Sequence, residues 1–137
     1  MHGCNSQSER VLTSEIAILP QNLVRLARLI PPHIGVIDGF IGMEGNGPVR
    51  GNEKHLGAAI ASTDFVAADA VCAKVMGFEP MEVSYLYYGH QLGLGTAKLD
   101  DIEIVGESIE NLAGKFTPHS NYPIQQLWQE SAPLMPG

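Results

Sequence analysis

Nineteen residues from Gly39 to Gly57 hold six glycines, at positions 39, 42, 45, 47, 51 and 57. Average usage of about 7% would place one or two in such a window. Its centre reads Met43-Glu44-Gly45-Asn46-Gly47-Pro48-Val49-Arg50-Gly51. Glycines let a backbone approach a ligand closely, and consecutive N–H groups can form a nest for an anion. Arg50 adds a guanidinium suited to phosphate or carboxylate. Gly45, Asn46, Gly47, Arg50 and Gly51 are therefore the candidate ligand-binding residues. The stretch lacks the lysine–serine pair of a Walker A loop and the glycine spacing of a dinucleotide fingerprint. Its structural alternative is a wide glycine-rich turn that binds nothing.

Four carboxylates surround this stretch: Asp38, Glu44, Asp64 and Asp69. Oxygen donors of this kind suit magnesium or manganese better than zinc, so a divalent metal bridging them to a small anionic ligand is the chemistry they could do. Asp69 is the unusual member. Five residues along a helix set it about 140° from Lys74, among the apolar side chains. A buried carboxylate must be paired, protonated or metal-bound. Each acid also has a plainer role: a turn beside Gly39 for Asp38, the helix dipole for Asp64, capping of a neighbouring turn for Asp69. No catalytic residue is identified. His2 and Cys4 have no recognised metal spacing, His55, His90 and His119 are scattered, and Cys72 reads as an inert core thiol. Two cysteines cannot supply the four thiolates of an iron–sulfur cluster, so none is expected within this chain.

The elements that must position these groups form an α/β pattern. Residues 1–13 read as a polar arm, 14–113 as a single α/β domain, and 114–137 as a proline-containing tail anchored by Leu127 and Trp128. Leu23, Leu26, Ala27 and Ile30 follow helical spacing from Pro20 until Pro31-Pro32 stops them. Ile34 to Ile37 reads as a buried strand, and a long connection leads to a second apolar run at Ala58–Ala61. Ser62 or Thr63 is a plausible N-cap for a helix through Met76, closed by Gly77. A helix from Pro80, a third strand at Ile102-Glu103-Ile104 and a short helix at Ile109–Leu112 follow. The expected fold is a small layered sheet of three or more strands with helices packed on it, part of a larger domain.

Composition narrows the partners. A net charge of −7 opposes nucleic acid, which is bound by neutralising phosphates. No apolar run approaches the ~18 residues of a membrane span, and the polar start is no signal peptide. The chain thus reads as cytoplasmic and soluble. Only 17% of its residues are charged. With open sheet edges, that predicts a homo-oligomer, most simply a two-fold dimer through the tyrosine-bearing helix or a sheet edge.

From Ile34 to Gly106 the sequence resembles a known family. The marks are Val36-Ile37-Asp38-Gly39, Glu44-Gly45-Asn46-Gly47-Pro48 with Gly51, and Thr63 through Val71. Gly77-Phe78, Gly93-Leu94-Gly95 and Ile102 to Gly106 follow in order. Together they resemble the C-terminal part of the domain of unknown function 362 family, and the Met-His-Gly start fits as well. The resemblance implies a longer domain, with an N-terminal portion beyond this chain, that occurs alone or beside ferredoxin-type iron–sulfur modules. It covers Asp38, Glu44, Asp64 and Asp69 without naming their chemistry. Two functions compete: an α/β domain binding an anionic ligand with a metal, and a non-catalytic accessory module of an iron–sulfur redox system or an inactive fragment. A glycine loop collapsed on itself, with apolar surface open around Tyr85 to Tyr88, favours the second.

Overall fold

A computed structural model describes residues 7–130, with side chains from residue 15. The first element of the described residues is helix α1 (Gln7–Leu29). It therefore begins well before Pro20, inside the stretch that reads as a polar arm; His2 and Cys4 lie outside the described residues. Pro20 sits within the helix and forfeits one backbone hydrogen bond. Packing offsets that loss: Ala17, Pro20 and Val24 are buried where α1 meets the later helices.

Strands β1 (Gly35–Asn46) and β2 (Arg50–Ser62) form one antiparallel hairpin, paired from Gly35 opposite Ser62 to Asn46 opposite Arg50. The connection expected from Gly39 to Gly57 is thus mostly ladder, and only Gly47, Pro48 and Val49 turn. The glycines disguised it. Burial alternates along both strands, but on the inner side glycine often stands where a large apolar residue would mark the face. A Cβ at Gly42 would lie 2.8 Å from the Phe116 ring, and one at Gly35 would touch Phe65 and Ala68. Bare backbone here lets a helix and an aromatic ring seat directly on the hairpin. Between Gly39 and Ile41 the register slips, and the Phe40 N–H donates to Asp38 Oδ1 at 2.9 Å.

Helix α2 (Phe65–Val75) lies on the inner face of the hairpin. A 3-10 turn (Pro80–Glu82) leads into α3 (Ser84–Gln91). Another 3-10 turn (Leu99–Asp101), α4 (Ile109–Leu112), α5 (Tyr122–Gln125) and a last 3-10 turn (Gln126–Glu130) complete the chain. The short helix at Ile109–Leu112 is where the sequence places it. The third strand is not: among the described residues the sheet has two strands. Ile102 turns inward onto the core, while Ile104 and Val105 are exposed and pair with no strand.

Two small cores hold these pieces. Val66, Ala70, Leu86 and Ala97 form one, and Val24, Tyr88 and Trp128 the other. The tail is ordered by its own bonds. Gly114 N–H donates to Val75 O at 2.8 Å, Phe116 N–H to Met76 O at 2.9 Å, and the Trp128 indole to Glu82 O at 3.2 Å. Trp128 stacks edge-on against Tyr88, its ring centroid 5.5 Å away. No helix among the described residues is long and apolar enough to cross a membrane.

Candidate functional site

The hairpin tip holds the tail through two of the expected ligand-binding residues, Gly45 and Asn46, and through Glu44, an expected metal ligand. Glu44 Oε2 accepts from Lys54 Nζ at 3.2 Å and from the Thr117 N–H at 2.9 Å. That N–H and then the lysine hold its carboxyl below the usual range. Lys54 also donates to Lys115 O and stands over the Phe116 ring, 5.0 Å from its centroid. Gly45 N–H donates to Thr117 O at 2.8 Å, and Asn46 Oδ1 accepts from the Ser120 N–H at 2.9 Å. Gly47 N–H donates back to Gly45 O at 3.0 Å. Two N–H groups expected to face an anion therefore face the chain's own carbonyls. Arg50 is exposed at the same tip, opposite Asn46. Gly51 lies beneath Met43, whose Cγ would be 2.5 Å from a Cβ there.

Asp64 sits elsewhere, at the N-terminus of α2. It is the N-cap itself: Oδ1 accepts from Ala67 N–H at 2.9 Å, while Ser62 Oγ accepts from Asp64 N–H at 3.0 Å. Its second oxygen accepts from Thr96 N–H at 2.8 Å, tying the helix start to the loop after α3. Asp38 is exposed on the outer face of the hairpin and serves the bulge. The four carboxylates thus occupy four different environments. Among the described residues no three His, Cys, Asp or Glu side chains gather as a metal site.

Asp69, the acid that interrupts the apolar face of its helix in the sequence, has a different setting. It lies half-buried in α2, and among the described residues its carboxylate has no hydrogen-bond or ion-pair partner. Burial pushes its carboxyl up. Two clefts open on it. One, of about 330 Å³, is walled by Leu23, Val24 and Ala27 of α1, Phe65 of α2 and Tyr85 of α3. The other, of about 370 Å³, is walled by Ile37, Cys72, Met76, Tyr85, His119 and Tyr122. A third cleft, of about 430 Å³, runs along Leu19, Leu23, Val83, Tyr85 and Tyr122. All three meet at Tyr85, whose hydroxyl is pushed up to about 12 by burial and then by the charges of Asp69 and Cys72. Burial and Asp69 likewise raise the Cys72 thiol, so it is a poor nucleophile.

Sequence reasoning noted the crowded tyrosines but not their division. Tyr87 and Tyr88 face Trp128 in the core, while Tyr85 points into the clefts. The signal was spacing: Tyr85 and Tyr88 are three apart, yet Leu86 and Gly89 take the buried face beside Tyr88. Leu23 belongs to the helical face expected from Pro20 onward, and Leu19 lies just before it.

What these parts define is a two-stranded hairpin carrying helices, with an apolar cleft system opened on one uncompensated carboxylate. Residues 1–74 match the model of the family described as Domain of unknown function (DUF362), more than half of the 137, and the chain belongs to that family. The match includes the hairpin and all four carboxylates but not α3 or the tail. A thylakoid-associated protein of Synechocystis sp. (strain ATCC 27184 / PCC 6803 / Kazusa) is 33% identical over 72 residues, which are 53% of this chain and 22% of that protein. The chain thus spans well under two thirds of that relative. No solved structure matches the chain.

Proposed function

We propose that this chain is a non-catalytic interaction module that binds a segment of another polypeptide in the clefts around Tyr85. One observation carries the reading: three clefts of apolar lining meet at a single side chain, and nothing in the described chain covers them. Leu19 is 67% exposed, Leu23 49% and Tyr85 39%. Single exposed apolar residues are ordinary, but contiguous ones bordering a groove mark a surface that is covered when the protein works. The chemistry of the walls supports the same reading. The thiol and the tyrosine hydroxyl are both raised, so neither is activated as a nucleophile. A relative that is thylakoid-associated fits a protein that works by attachment.

The test is photo-crosslinking with a benzoyl-phenylalanine placed at Tyr85, and at Val105 on exposed backbone as a control. The reading expects a polypeptide crosslinked from Tyr85 alone. Once purified, that polypeptide binds the wild-type chain and fails to bind Leu23→Lys. Equal crosslinking from both positions, or purified partners indifferent to Leu23→Lys, refutes it.

A further inference from the structure

We infer that Asp69 reads a basic side chain: the segment seated in the clefts presents a lysine or arginine whose charged end meets this carboxylate. The inference rests on the interaction-module reading and adds the chemistry of the partner. Asp69 is the only acid in α2, between Ala68 and Ala70 on a helix of otherwise apolar character apart from Lys74. Lys74 is already paired with Glu79 at 2.9 Å, and the other ion pair among the described residues joins Lys54 to Glu44. Asp69 is left facing two clefts whose other titratable side chains are Cys72, Tyr85, His119 and Tyr122, none of them bonded to it.

A carboxylate facing apolar walls is costly until it is paired. A lysine or arginine meets both needs of the site. Its methylene stem lies along apolar walls such as Phe65 and Leu23, and its charged end reaches the carboxylate. A divalent metal lacks further ligands here, since no three acids, histidines or cysteines come together among the described residues. An anionic lipid surface is opposed by the net charge of −7. Three clefts of about 330, 370 and 430 Å³ that share Tyr85 as a wall offer more room than a single small amine fills. Charge complementarity therefore selects a polypeptide with a basic residue flanked by apolar ones.

The probes are three fluorescein-labelled, acetylated peptides, Ile-Leu-X-Leu-Ile, with X arginine, citrulline or glutamate. Citrulline keeps the shape and most hydrogen-bonding groups of arginine and lacks its charge. The arginine peptide should bind the wild-type chain about tenfold or more tighter than the citrulline one, with glutamate weakest. Asp69→Asn, shown folded by circular dichroism, should bring arginine and citrulline within about twofold of each other. Wild-type affinities that do not separate arginine from citrulline overturn the inference and leave the module reading standing. Failure of every peptide to bind overturns both. Two further measurements can assign the clefts to another occupant and so overturn the inference. One is a micromolar dimer in sedimentation that Leu23→Lys dissociates. The other is flotation with phosphatidylglycerol vesicles that Asp69→Asn leaves unchanged.

Discussion

Replacing Gly95 by alanine should cost about 3 kcal/mol, and the reason lies in Asp64. A Cβ at Gly95 collides with Asp64 Oδ1 and stands 2.7 Å from Val66 Cβ. The Val66 contact cannot relax by a side-chain swing, because a Cβ is fixed to its backbone, so overpacking of about 1–3 kcal/mol is expected there. The carboxylate can move, but only by leaving Ala67 N–H and Thr96 N–H. Loss of an N-cap costs about 0.5–2 kcal/mol, and a hydrogen bond to a charged acceptor is worth about 1.5–3 kcal/mol. Partial retention of those bonds sets the total near 3. Asp64→Ala alone should cost about 2–3 kcal/mol from the two bonds. In the double variant the collision with the carboxylate has gone, so the combined cost should fall about 1 kcal/mol or more below the sum. Urea denaturation followed by circular dichroism, with an unchanged slope, measures all three. Strictly additive costs, or a Gly95→Ala cost below about 1 kcal/mol, would refute the argument that this glycine exists to admit the carboxylate.

Two pH experiments follow from the carboxylates. Burial raises Asp69, so the folded chain holds that proton more tightly than the unfolded one, and the penalty of ionising it is present at neutral pH and lifted as pH falls through the folded value. Asp69→Asn should therefore melt higher than wild type at pH 7, with the gap narrowing toward pH 4 (about the ordinary carboxylate value); a less stable variant at pH 7 contradicts this. Glu44 has the opposite sign. Thr117 N–H and Lys54 lower it, so its contribution is present above 4.5 and lost as pH falls through the folded value. The Thr117 amide signal in nuclear magnetic resonance should move in that acid range and stay still in Glu44→Gln.

The parts of the fold that declared themselves in the sequence had both a period and a cap. Residues 65–75 carry an apolar helical face, an acid at the start and Gly77 at the end, and the helix is there, with Asp64 rather than Ser62 or Thr63 as cap. The hairpin was hidden because its inner face is written partly in glycine, which carries no hydropathy signal yet packs more closely than any side chain. Ile102-Glu103-Ile104 failed for the converse reason. Alternation shows that a segment can be a strand, but only a neighbour with free backbone groups makes it one. Asp69 was legible because it breaks an apolar helix, and one residue against its surroundings is a local signal. The clefts were not, since Leu19, Tyr85 and Tyr122 meet only through tertiary packing.

The bonds from the hairpin tip to the tail have a mechanical consequence. Glu44 and Gly45 hold Thr117, Asn46 holds Ser120, and Tyr122 with His119 walls the clefts. The short length of backbone from 117 to 122 is therefore a tether with one end knotted to the tip and the other built into the wall. That length of backbone joins the two ends by a route that leaves out both buried cores. A partner wedged beside Tyr122 would tug on Asn46, and a hand closed on the tip would be felt at Tyr122.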